Sequence, residues 1–155
     1  MKKKIIKWGV IIVTGGLIIG GGSAFYLFNM PHRNIQEASA DFQLNAEELV
    51  TEYLKDENSA NEKYLAEDGD SKIIAVTGII ASINVDMNNQ KVVLLKKKGE
   101  NAGVSCTFMT DTNANIEHFQ KGDLISIKGV IRSGAGYDKD LELYEDVILE
   151  KCDIV

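Results

Sequence analysis

Three features of the sequence predict a mainly β protein, a small five-stranded barrel carried behind a single membrane-spanning helix. Ser71 to Asp86 (SKIIAVTGIIASINVD) reads as one long strand with a glycine in its middle. The residues after it fall into short alternating segments split by turn residues, through to Val155. Ahead of it, Trp8 to Phe28 runs 21 residues without a charge.

The 155 residues suffice for one domain with an appendage, and the charge is divided between the two. Residues 1–7 form a basic tail, with Lys2, Lys3, Lys4 and Lys7 and no acid. Since these are four of 17 basic residues, the chain from Asn29 on holds 13 basic and all 23 acidic residues, a charge of −10. So acidic a domain repels phosphate backbones over its surface as a whole, and only a local basic patch would reverse that. Pro31 is the single proline, and no internal repeat is visible.

Residues 8–28 span roughly 30 Å as a helix, the thickness of a bilayer's hydrocarbon core. Trp8 and Tyr26 stand where interfacial aromatics belong, and the lysines lie on the N-terminal side. That bias predicts a single-pass protein with its N-terminus cytoplasmic and its C-terminal domain extracytoplasmic, in the periplasm. A signal peptide cut near Gly22-Ser23-Ala24 would export the same domain, but the apolar run continues past that site to Phe28, which favours an uncleaved anchor. No cysteine follows the run to accept a lipid. Gly16, Gly20 and Ala24 share one helix face, which would let a second copy approach and form a weak homodimer. The plainer reading is that glycine is common in such helices.

Residues 29–43 read as a polar linker, able to lift the domain roughly 50 Å if extended. The domain, residues 44–155, begins with a helical lead-in over 44–66. Asn45 suits an N-cap with Glu48 three residues on, and Leu49, Val50, Tyr53 and Leu54 form an apolar face. Asn58 or Ser59 is a candidate cap for a second short helix carrying Ala60, Tyr64 and Leu65. Both faces are expected to cover the barrel. Glu67 to Asp70 (EDGD) is too sparse for a calcium loop and reads as a turn.

The barrel is expected over 71–155. In strand one, Ile74, Val76, Gly78 and Ile80 share a face before the parity shifts to Ile83 and Val85, which marks a bulge near Ala81-Ser82. Gly78 removes a side chain where the strand must bend. Asn88-Asn89 turns into strand two, Lys91 to Lys97. Strand three, Val104 to Thr110, points Val104, Cys106 and Phe108 inward. Asp111 to Phe119 is a short helix. Strand four carries Ile125, Ile127, Gly129 and Ile131 on one face. Ser133 to Lys139 is a flexible loop, and strand five takes Leu141, Leu143, Val147 and Leu149. Five strands with a helix between the third and fourth describe an OB-fold.

The segments NAEELVTEYLKDENSANEKYLAEDGDSKIIAVTGIIASI, VSCTF, KGDLISIKGV and VILEKCDIV resemble the tRNA_anti-like family of OB-fold proteins over about 44–155. Ala60-Asn61 and Lys63-Tyr64 are the most specific part of the match. The resemblance implies the fold and an exported or membrane-tethered address, mostly in Bacteroidetes. Members are often lipoproteins, from which this chain departs, and the resemblance implies no activity.

Cys106 and Cys152 lie on strands that neighbour each other in such a barrel, so a disulfide is a candidate, as are two buried free thiols. A bridge would close a 47-residue loop, worth roughly 4 kcal/mol. Lys96, Lys97 and Lys98 form the one basic run, and Tyr137 is a lone loop tyrosine. Lys96, Lys98 and Tyr137 are therefore the weak ligand-contact candidates. Single-strand binding wants stacking aromatics along a basic groove, which this surface lacks. No motif points to a catalytic site, metal or cofactor. The expectation is a non-enzymatic domain that binds an envelope protein or small ligand, with oligonucleotide binding as the alternative.

Overall fold

The computed structural model describes residues 35–66 and 71–155. The basic tail, the membrane segment with its Gly16, Gly20 and Ala24 face, the start of the linker, and the EDGD turn lie outside the described residues. Among the described residues no helix is long and apolar enough to cross a membrane.

In chain order the elements are β1 (Phe42–Asn45), α1 (Ala46–Lys55), α2 (Glu57–Tyr64), β2 (Ile73–Val85), β3 (Lys91–Leu95), β4 (Val104–Phe108), a 3-10 helix (Asn113–Ile116), β5 (Leu124–Ser133), β6 (Gly136–Asp138), β7 (Leu143–Glu145) and β8 (Val147–Ile154). The main sheet runs β1-β2-β3-β4-β8-β5, and β5 returns to pair with β2. Strands β2, β3, β4, β8 and β5 thus close a barrel. Its fold is the expected one: mainly β, OB-like, with two short helices.

Strand β2 makes the closure by changing partner along its length. Ile73 to Ile79 pair antiparallel with β5, and Ile80 to Val85 pair with β3. The register slips by one residue between Ile80 and Ser82, where the parity shift places a bulge. Before the slip Ile74, Val76 and Ile80 face the core; after it Ile83 packs against the core. Val85, expected to follow Ile83 inward, is exposed because the core ends before it.

The lead-in begins earlier than the expected boundary at Leu44. The second half of the 29–43 linker is not free but packed on the barrel. Ile35 is 2% exposed. The Lys128 ammonium donates to the carbonyls of Gln36 at 3.1 Å and Ala38 at 2.8 Å. Asp41 donates its backbone N–H to the Ile73 carbonyl, and its carboxylate accepts from Ile73 N, both at 2.8 Å. Strand β1 then runs parallel to β2, pairing Phe42 to Asn45 with Ile74 to Thr77. A parallel pair needs a crossover, and α1 with α2 supplies it.

In α1 the Glu48 carboxylate accepts from Asn45 N at 3.0 Å, in the expected capping box with the Asn45 side chain. Leu49, Val50 and Tyr53 are buried, but Leu54, expected on the same face, is 41% exposed. The second cap is Asp56 and not Asn58 or Ser59. Its carboxylate accepts from Ser59 N at 3.1 Å and Ser59 Oγ at 2.8 Å, so α2 starts only one residue after α1 ends.

Three boundaries move in the barrel's second half. Strand β4 stops at Phe108, because the buried Thr112 hydroxyl accepts from Met109 N at 3.0 Å and donates to the Cys152 carbonyl at 2.8 Å. That turn leaves only a short 3-10 helix where one from 111 to 119 is expected. The Ser133–Lys139 loop carries β6, and Leu143 lies in β7, not the closing strand. The closing strand is β8, where Val147, Leu149 and Cys152 are buried; Lys151, with φ of 55°, bulges so that Cys152 still faces inward.

Gly78 serves close packing. A Cβ there would lie 3.1 Å from both Ala46 Cβ and Leu95 Cβ, so its absence seats the first residue of α1 against the barrel. Gly78→Val is expected to destabilise the domain by about 1–3 kcal/mol, with Gly78→Ala costing less. A urea midpoint unchanged in Gly78→Val would show that α1 does not rest there.

Candidate binding face

Because side chains alternate along a strand, the residues between the buried ones build an outer face across β2, β3, β4 and β8. The register aligns Ser82, Leu94, Ser105 and Ile148 in one row, with Ser133 of β5 opposite Ile148. A second row holds Asn84, Val92 and Thr107. Neither row carries a charged or aromatic side chain. Leu94 and Val92 are half-buried, and Ile148 is 39% exposed.

From the strand ends bearing Ser133 and Ile148 rises the β6–β7 hairpin, in the segment read as a flexible loop. Its register pairs Gly136 with Glu145, Tyr137 with Tyr144 and Asp138 with Leu143. The Asp138 carboxylate accepts from Asp140 N at 2.8 Å and Leu141 N at 3.0 Å, which shapes the turn. At the base, the Asp146 carboxylate accepts from Gly103 N at 2.6 Å. Gly134 lies against the Tyr53 ring of α1 so closely that a Cβ would come within 1.9 Å of it. Tyr137 is therefore not a lone loop residue. Its ring lies 4.8 Å, centroid to centroid, from that of Tyr144, which sequence reasoning passed over.

Two of the three lysines in the run are engaged by their own domain. Lys96 donates to the Asn101 carbonyl at 2.9 Å. Lys97 pairs with Glu47 in the first turn of α1, and the hydrogen bond to that carboxylate holds its pKa above the ordinary lysine value. Lys98 is exposed. A cleft of about 510 Å³ opens between the start of α1, strand β2, the loop after β3 and the first residue of β5, with Ala46, Gly78 and Leu124 in its lining. It takes in Lys96 and Lys97 together with Glu47, Glu48 and Glu100, so its charge is mixed. Neither Lys98 nor Tyr137 lines it. The three ligand-contact candidates do not converge.

Both cysteines are free and fully buried, so the Cys106–Cys152 bridge is not made in this structure. The expected strand adjacency holds: β4 and β8 pair in parallel, with Phe108 opposite Cys152. Each thiol instead fills core space as a small apolar group. The Cys152 sulfur occupies the room that Gly129 leaves; a Cβ at Gly129 would approach it within 2.6 Å. Burial, and then the neighbouring Cys106 thiol, push the Cys152 pKa well above its ordinary value. Neither sulfur is placed to meet a substrate, and among the described residues no cluster of histidine, cysteine and carboxylate is arranged to hold a metal.

Lys63-Tyr64, the most specific part of the resemblance, has a structural task. The Glu52 carboxylate accepts from Lys63 Nζ and from Tyr64 Oη, each at 2.6 Å, and so ties α2 to α1. Phe42 of β1 packs edge-on against the Tyr64 ring at 5.1 Å.

Comparisons with known proteins agree with this geometry. The sequence profile of the tRNA_anti-like family matches residues 1–146. A similar solved structure is the crystal structure of a candidate nucleic acid-binding lipoprotein from Klebsiella pneumoniae. It shares 15% sequence identity, with a TM-score of 0.53, and the match covers 81% of this chain and 99% of that one. At that identity the likeness concerns the fold. Among curated proteins none matches the sequence.

Two outcomes follow for these side chains. Burial raises the Glu52 pKa, but the hydrogen bonds from Lys63 and Tyr64 outweigh it and hold the group below its ordinary 4.5. A depressed carboxylate stabilises the fold above its ordinary range and loses that contribution as pH falls through the lowered value. Stability is thus expected to drop on acidification below about 4.5, and less steeply in Glu52→Gln. The partial exposure of the pair, 36% and 41%, keeps the effect small. Identical acid slopes for both proteins would refute the coupling. In the second outcome, both thiols resist alkylation in the folded chain and each takes one adduct when unfolded without reductant, as read by mass spectrometry; no adduct would reveal a bridge.

Proposed function

The chain belongs to the tRNA_anti-like family, and on that premise we propose that it is a membrane-anchored, extracytoplasmic OB-fold domain that binds a protein or small envelope ligand without catalysis. The observation that carries this reading is the outer face itself. Val92, Leu94 and Ile148 stand among serine, threonine and asparagine side chains on the side of the barrel where OB-folds bind. A face of that kind suits apolar contact with a few hydrogen bonds, which is how proteins and small ligands are held.

The address rests on the uncharged stretch Trp8 to Phe28 with its flanking lysines. The Klebsiella neighbour, a fold relative, is described as a lipoprotein.

That neighbour's description also favours a second reading, oligonucleotide binding. Two features weigh against it here. The rows of the face hold no aromatic side chain for a base to stack on. Lys97 and Lys96 of the lysine run are bonded to Glu47 and Asn101, within a domain of net charge −10 from Asn29 on.

The full chain in detergent is expected to leave fluorescent single-stranded DNA and RNA unbound at low salt. Binding that weakens steeply as salt is added would establish the second reading instead. A photo-crosslinking residue at Ile148 in intact cells is expected to capture a discrete partner, and Leu94→Ser to weaken that capture. Equal capture from an unrelated exposed site such as Asn101 would remove the outer face from consideration.

A further inference from the structure

We infer that the β6–β7 hairpin is a protein-docking element and that its partner is a cationic polypeptide segment with apolar anchor residues. The inference rests on the binding-domain reading and gives that reading a partner class.

The hairpin exposes more large apolar side chains than any segment of its length among the described residues. Leu141 is 66% exposed, Tyr137 49%, Leu143 44% and Tyr144 40%. Nothing in the fold requires them there, because the closing strand takes its buried residues from Val147, Leu149 and Cys152. The register puts the Tyr137–Tyr144 pair on one face of the ribbon and Leu143 on the other, with Leu141 in the turn at its tip. Exposed tyrosines beside an exposed leucine tip make the kind of patch that marks a protein interface. The ribbon is also held in shape. Three register pairs, the Asp138 turn, the Asp146 bond to Gly103 and the seat of Gly134 on Tyr53 fix its form before any partner arrives. A preformed element loses less entropy on docking.

Charge selects the partner. From Gly136 to Asp146 the chain carries five acidic residues and one base, Lys139. Asp138 and Asp146 accept backbone hydrogen bonds, while Asp140, Glu142 and Glu145 stand exposed with no ion pair among the described residues. Exposed tyrosine and leucine side chains interspersed with uncompensated carboxylates complement lysine or arginine side chains around an apolar anchor. The same carboxylates repel nucleic acid and anionic lipid.

The test selects phage-displayed random dodecapeptides on the full chain in detergent micelles and resynthesises the winners. Winners are expected to carry lysine or arginine around leucine, phenylalanine or tryptophan. They should bind the Leu141→Ser, Tyr144→Ser double variant at least about tenfold more weakly, and Tyr144→Phe nearly as well as the parent. Asp140→Asn with Glu142→Gln should weaken binding and flatten its salt dependence. Unchanged melting of these variants confirms that the barrel is intact, as expected for exposed positions.

Neutral or acidic winners would overturn the partner class, as would preferential hairpin-dependent binding of anionic vesicles or single-stranded DNA. Enrichment no greater than on an unrelated acidic protein would overturn the inference. Winners lost only in Leu94→Ser with Ile148→Ser would place docking on the outer face alone, refuting the hairpin and leaving the binding domain standing. Winners indifferent to both pairs of substitutions would count against both.

Discussion

The fold depends on one strand having two sets of neighbours. Strand β2 bonds to β5 with its first half and to β3 with its second, and the bulge between Ile80 and Ser82 is where the change is made. Without that slip the second half would turn its apolar residues to the wrong side, and the sheet would remain open with an unpaired edge. The bulge, the missing side chain at Gly78 and the docking of α1 fall within a few residues of each other. Local backbone geometry and long-range packing are therefore set by the same short stretch.

The N-terminal lead-in is as much a part of this arrangement as the barrel strands. Strand β1 extends the sheet beside β2, α1 lies over Gly78, and the Lys128 ammonium gathers the carbonyls of the preceding segment. The Lys63-Tyr64 pair, bound to Glu52, holds the two helices in the crossover between parallel strands. The part of the sequence most specific to the family thus builds a scaffold, while the surfaces open to other molecules lie on the outer face and the hairpin.

Barrel strands were legible wherever alternation met a buried face. Val104, Cys106 and Phe108, or Ile125, Ile127 and Ile131, could be placed from parity alone, and the bulge followed from its break. Strand β1 was hidden because Phe42 and Leu44 are only two apolar residues in a polar stretch, and their pairing is with residues some thirty positions on. The Asp56 cap was hidden because its residue also ends the helix before it. Leu141 and Leu143 had the spacing of an inward strand, yet the turn shaped by Asp138 gives Leu143 to a separate ribbon. The candidate site was less legible still. Nothing local in the sequence shows that Lys97 meets Glu47, or that Tyr137 acquires Tyr144 as a neighbour.

The position of β8 carries a consequence for the order in which the barrel closes. It lies between β4 and β5, though it is the last of the strands in sequence. Until it is in place, β4 and β5 each present an unsatisfied row of backbone donors and acceptors, and the apolar residues between them have no lid. The barrel therefore closes only when this strand is inserted between them. A barrel built in this way leaves two edges open to wrong pairing until its last strand takes its place.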